Sequence, residues 1–237
     1  MATDITKELE CLKQKILLLG TTVENNLADA LDSVFRKDPS LAEQVRFTDR
    51  EIDEIEVGVE DDCLSLLALH QPVARDLRFI VTALKINIDL ERIGDLAVKI
   101  AGKVTHLVNS NNFGKLRTDI PEEIFSELNG MCKETRSMLK QALDAFAKRD
   151  VALAYAVILE DDKVDIAKNL IGSCLEKNIK EDPSSHQHLA TLLSISRSLE
   201  RIADHTTNIC EDIIYMLQGR IIRHRVDERF EVNTFRL

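Results

Sequence analysis

A five-residue string occurs twice in this chain and, with its surroundings, dictates most of what the chain can fold into. Glu-Arg-Ile-Gly-Asp stands at 91–95 and Glu-Arg-Ile-Ala-Asp at 200–204, 109 positions later. Upstream of each lies an acidic pair, Asp49 with Asp53 and Asp161 with Asp165, offset by 112. Ala30-Leu31-Asp32 recurs as Ala142-Leu143-Asp144, and Asp38 as Asp150, also at 112. Repetition over such a span predicts two similar halves with the same elements in the same order. The fall from 112 to 109 precedes the last copy of the motif and predicts a connection three residues shorter in the second half.

Hydrophobic spacing supplies the element type. Ile5, Leu9, Leu12, Ile16, Leu19, Val23, Leu27, Leu31 and Val34 recur in steps of four and three, the seam of a helix packed in a bundle. Asp38-Pro39 ends that helix and starts the next, with Asp38 as N-cap and Pro39 in the first helical position. The second helix runs to about His70, and Pro72 opens a third that reaches about Asn109. After a polar linker the pattern repeats, with a fifth helix to about Ile179 and a sixth from about His188 to Gln218. With only 8 Gly and 4 Pro in 237 residues there is little turn material for a strand-rich fold. The expected fold is all-α: two tandem antiparallel three-helix bundles, six long helices in all, related by internal duplication. Residues 1–110 form the first bundle, 111–120 the linker, 121–218 the second bundle and 219–237 a tail. The tail carries a small basic patch, Arg220, Arg223 and Arg225 beside His224, and reads as a frayed terminus.

Charge and cysteine usage exclude several classes. A net charge of −10 opposes general nucleic-acid binding and docking on anionic lipid. The five cysteines are scattered and form no Cys-x-x-Cys, which argues against a disulfide framework and predicts a reducing, cytoplasmic setting. No apolar run is long enough to span a membrane, and the polar N-terminus is unlike a signal peptide. No Ser, Cys or His constellation offers a nucleophile and no Gly-rich loop offers a phosphate cradle.

The acidic pairs carry the chemistry. Carboxylates at i and i+4 share one face of a helix and repel. Where the second and third helices meet, Asp49, Asp53, Glu91 and Asp95 converge; the other half repeats this with Asp161, Asp165, Glu200 and Asp204. A bound cation offsets the repulsion, and oxygen-only ligands suit magnesium, manganese, calcium or iron. Solvated charge is the alternative for any one such pair, and Glu56 with Glu60 reads that way. Arg92 and Arg201 each follow the glutamate and are placed to bridge to a neighbouring helix. His205 follows Asp204 directly and points about 100° away from it around the helix, a neighbour of the site at best. Arg75 and Arg78 sit in the first turns of a helix, where the macrodipole disfavours cations, and mark a candidate anion or partner contact.

Gln-Pro-Val-Ala-Arg-Asp-Leu-Arg at 71–78, Leu-Glu-Arg-Ile-Gly-Asp at 90–95, Leu-Glu-Arg-Ile-Ala-Asp-His at 199–205 and Glu-Asp-Ile-Ile-Tyr at 211–215 together resemble the PhoU family of phosphate-uptake regulators. The resemblance implies a cytoplasmic, non-enzymatic homodimer. It implies an adaptor between the phosphate ABC transporter, through its ATPase subunit, and the PhoR-type sensor histidine kinase. Such an adaptor holds the phosphate-starvation response off when phosphate is sufficient. The resemblance also implies metal ions (iron, zinc, manganese or magnesium) at the eight carboxylates. Its motif has His after the final Asp and Asn three positions beyond, kept here as His205 and Asn208 but replaced in the first half by Leu96 and Lys99. On that ground the second cluster is expected to be the better metal site. The same carboxylates leave two competing readings open, a metal-dependent enzyme of phosphatase type and a metal storage protein.

Overall fold

The computed structural model describes residues 2–109, 122–181 and 186–222, and six helices account for nearly all of them. They are α1 (Ala2–Arg36), α2 (Pro39–His70), α3 (Ala74–Asn109), α4 (Glu122–Lys148), α5 (Val151–Glu181) and α6 (His186–Gln218). The expected linker at 111–120, and the tail beyond 222 with Arg223, His224 and Arg225, lie outside the described residues.

The seam read from spacing is the buried stripe of α1: Leu12, Ile16, Leu19, Val23, Leu27, Leu31 and Val34 are all in the core. The duplication is visible in the backbone. Lys37 and Arg149 both take the left-handed conformation, with φ of 59° and 54°. Each is followed by an aspartate whose side chain accepts from the first turn of the next helix, Asp38 from Ser40 and Leu41, Asp150 from Leu153. The amides of these two aspartates close the preceding helix on equivalent carbonyls, Ser33 at 3.1 Å and Ala145 at 2.9 Å.

Two boundaries differ from the expectation. The third helix starts at Ala74, not Pro72, because Gln71 (φ 46°) and Ala74 (φ 49°) are left-handed, which no helix can propagate through. The three missing residues of the second half are not lost from the connection. α3 begins 17 residues before Glu91 whereas α6 begins 14 before Glu200, so the first turn of α6 is what is shorter.

α1, α2 and α3 pack on one another, as do α4, α5 and α6, and α3 lies along α6. One continuous apolar core runs through both bundles. At the seam Phe79 of α3 stacks on Phe146 of α4 at 6.3 Å between ring centroids. Gly20 of α1 lets α4 approach so closely that a Cβ there would stand 2.3 Å from a Leu143 methyl. Polar links cross the same seam. Lys85 Nζ lies 3.1 Å from Asp212 Oδ1, and His205 Nδ1 lies 2.8 Å from Asp89 Oδ1.

Candidate functional site

α2 and α3 run antiparallel, and Gly94 sets how near they come under the first acidic cluster. A Cβ at Gly94 would lie 3.3 Å from Ile52 Cδ1 and 3.5 Å from Asp49 Oδ1. The glycine thereby lowers Asp49 onto the surface of α3, next to Glu91 and Asp95. Asp49 is half-buried, and its carboxyl is pushed up to about 6, first by burial and then by the charges of Asp53, Asp95 and Glu91. Glu91 is raised by burial, with Arg92 opposing and Asp95, Glu56 and Asp53 adding to the shift. All four carboxylates predicted for the first half therefore feel one another.

Glu56 joins them, and so is no plain solvated charge. Asn87 Nδ2 donates to its carboxylate at 3.0 Å and to its backbone carbonyl at 2.9 Å. Burial, Glu60 and Asp53 raise its carboxyl. Three cationic contacts temper the cluster: Arg92 lies 3.3 Å from Glu91 and 3.4 Å from Asp95, and Lys99 lies 3.9 Å from Asp95. These are half-exposed pairs of small energy. Arg92 thus braces its own helix and does not bridge to another.

The second cluster is built alike but charged differently. Burial, then Glu200 and Asp165, raise the Asp204 carboxyl, while His205 and Lys168 oppose the rise. Asp161 lies one turn before Asp165, half-buried. Lys168 of α5 reaches across to Glu200 at 2.8 Å. It occupies the position 112 after Glu56. One half thus carries a fifth carboxylate where the other carries an ammonium. Extending the repeat offset to every position on the acidic face is the signal that finds this pair.

His205 pairs with Asp89 across the seam between bundles, while its charge still acts on the neighbouring Asp204. Arg78 lies at the seam between α3 and α6, its Nε buried without a hydrogen-bond partner among the described residues. Its guanidinium packs within 4 Å of where a Cβ at Gly219 would stand, at the C-terminal end of α6, where the macrodipole favours a cation. Arg75 is exposed on the first turn of α3. Cys63, Cys132 and Cys210 are core residues whose thiols burial pushes up, the first two to about 12, so none is a nucleophile.

The donor set is oxygen-only and suits hard or borderline cations. Among the described residues, no three carboxylate, imidazole or thiol groups are placed to grip one ion as they stand. Arg92 and Lys168 each sit on one carboxylate oxygen of their cluster's glutamate.

The raised Asp49 carboxyl gives a pH signature. Its ordinary value is 3.8 and its folded value about 6, so the folded chain holds this proton more tightly than the unfolded one. The associated stability is fully present below about pH 4 and is lost as pH rises through about 6. In chelator, Asp49→Asn is expected to raise stability above about pH 6, by no more than about 1 kcal/mol because the side chain is only half-buried and solvent screens it. The gain is expected to vanish near about pH 4. Chemical denaturation at the two pH values checks it; an equal gain at both would remove ionisation of Asp49 as its cause.

Comparison with known proteins decides the family. The model for the PhoU domain matches residues 16–104 and again 128–213. The chain belongs to the PhoU family. The two PhoU-domain matches include all eight predicted carboxylates, four in each, so the duplication is a duplication of this domain. The chain is 35% identical over 230 residues to the phosphate-specific transport system accessory protein PhoU homolog of Pseudomonas aeruginosa, covering 95% of this chain and 92% of that one. It is 33% identical over 217 residues to the PhoU accessory protein of Escherichia coli K12, covering 92% and 86%. Crystal structures agree on the fold. PhoU from Pseudomonas aeruginosa superposes with a TM-score of 0.84 at 34% identity, over 91% of this chain and 99% of that one. The phosphate transport system regulatory protein PhoU from Streptococcus pneumoniae gives 0.79 at 29% identity, over 92% and 98%. No helix among the described residues is long and apolar enough to cross a membrane.

Proposed function

We propose that this PhoU-family chain regulates phosphate uptake as an accessory to a phosphate ABC transporter. In this reading it is an adaptor, a cytoplasmic homodimer that contacts the transporter's ATPase subunit and a PhoR-type sensor kinase and represses the starvation response when phosphate is sufficient. The observation that carries it is the match of both halves, nearly end to end, to proteins named as phosphate-transport accessories in Pseudomonas and Escherichia.

In the same reading, a metal ion of the iron, zinc, manganese or magnesium class is held by Asp49, Asp53, Glu91 and Asp95, and another by Asp161, Asp165, Glu200 and Asp204. The metal supplies positive charge that offsets carboxylate repulsion and ties α2 to α3 and α5 to α6. What supports this is the raising of Asp49 and Glu91 in the first cluster and of Asp204 in the second, by burial first and then by the neighbouring carboxylates.

The test is deletion in the host, with phosphate uptake and kinase-dependent reporter output measured in replete medium. Uptake and reporter are expected to rise together and to be restored by the wild-type chain. Unchanged uptake and unchanged reporter after deletion would sink the adaptor reading.

A further inference from the structure

The seam between α3 and α6 opens, beyond the His205–Asp89 pair, into a groove of about 650 Å³. Its charge is opposite to that of the molecule. Lys99 and Lys103, one turn apart on α3, line one wall, and Arg197 and Arg201, one turn apart on α6, line the other. Ser194 and Ser198 add hydroxyls, and among the described residues no carboxylate lines it. In a chain of net charge −10, four cations on facing helices are a concentrated exception. They are largely uncompensated. Among the described residues Lys103, Arg197 and Arg201 make no ion pair, and Lys99 has only the long contact to Asp95 at 3.9 Å.

The duplication sharpens the point. Arg92, the counterpart of Arg201, braces Glu91 and Asp95, whereas Arg201, beside the equivalent Glu200 and Asp204, lines the groove instead. Gly102 extends the open surface, for a Cβ there would meet nothing within 4 Å.

We propose that this groove binds a compact polyanion carrying two or more phosphoryl groups, either an inorganic pyrophosphate-type anion or the phosphate tail of a nucleotide. Guanidinium forks take phosphoryl oxygens bidentately, lysines add point charges, and hydroxyls donate to the remaining oxygens. Four cations divided between two walls match charge spread over linked phosphoryl groups better than a single small anion. A ligand bridging the walls ties α3 of one bundle to α6 of the other. The groove shares Lys99 with the edge of the first carboxylate cluster, but the ligand it takes is an anion and not a cation.

The test is isothermal titration calorimetry on the full chain, stripped of metal with chelator and kept free of divalent ions so that the acidic clusters take no part. The probes are pyrophosphate, ATP and a phosphoserine peptide. Two variants disable the groove by different routes. Arg197→Gln/Arg201→Gln removes one wall's charge from exposed positions. Gly102→Leu fills the open space while improving helix propensity. Lys133→Gln/Lys140→Gln, on the exposed face of α4, controls for net charge. Binding of pyrophosphate or ATP is expected, weakened at least about tenfold by either groove variant and unchanged by the control. Pyrophosphate binding as tightly as ATP identifies the inorganic source, and ATP binding alone the nucleotide. Three results overturn the proposal: neither probe binds at about millimolar concentration, the control loses as much as the groove variants, or only the phosphopeptide binds.

Discussion

Phe146→Ala is expected to cost about 3–5 kcal/mol and to lower the melting temperature by roughly 10 °C. The ring is 1% exposed and stacks on Phe79 from the other bundle, with 16° between planes. Truncation removes a large apolar side chain and the aromatic contact, which itself adds about 0.5–1.5 kcal/mol, and leaves a cavity that long, rigid helices cannot collapse into. Because the ring joins α4 to α3, the loss falls on the seam that makes two bundles one unit. Phe47 is the internal control. It is 72% exposed on α2, so Phe47→Ala is expected to stay within about 0.5 kcal/mol. Thermal melts of both variants by circular dichroism check the pair. Equal, small losses would mean that the two bundles do not depend on each other through this contact.

How much of this the sequence disclosed follows from what repeats and what does not. Helix number, order and the buried face of α1 were legible because each rests on periodicity or on a capping aspartate, and both are local. The carboxylate clusters were legible because recurrence at 112 separates Asp49 and Asp53 from ordinary surface charge. Glu56 was misjudged as solvated because its environment depends on Asn87, 31 residues away on another helix. His205 was placed beside the acidic site, yet its partner, Asp89, lies in the other half of the chain. Side chains on the seam between bundles face partners that no period within one helix can name. The same limit hid the basic groove. Lys99 and Lys103 show an i, i+4 pair, as do Arg197 and Arg201, but only the register of α3 on α6 sets them face to face.

Divalent manganese, added to chelator-treated protein, is expected to raise the melting temperature, and the two clusters are expected to contribute unequally. A ligand at about 100 times its dissociation constant stabilises by about 2.7 kcal/mol, or roughly 5–10 °C for a chain of this size. His205 and Asn208 favoured the second cluster when only the motif was read. In the structure His205 pairs with Asp89, and Lys168 sits 2.8 Å from Glu200. An ammonium already in place provides the charge that a metal ion would bring, and the ion must displace it. The first cluster has Glu56 at that position, and its cationic contacts are longer, Arg92 at 3.3 Å from Glu91 and 3.4 Å from Asp95 and Lys99 at 3.9 Å from Asp95. Burial first, and then the charges of Asp53, Asp95 and Glu91, push the Asp49 carboxyl there up to about 6. Glu91→Gln is therefore expected to remove more of the manganese-dependent gain than Glu200→Gln. Lys168→Met is expected to enlarge the gain by freeing the second cluster for the ion. Melting curves with and without manganese for these three variants decide the order. No shift in the wild-type chain would return the acidic faces to protein docking. A larger loss in Glu200→Gln would mean that Lys168 leaves its glutamate at little cost and that charge count does not rank the sites.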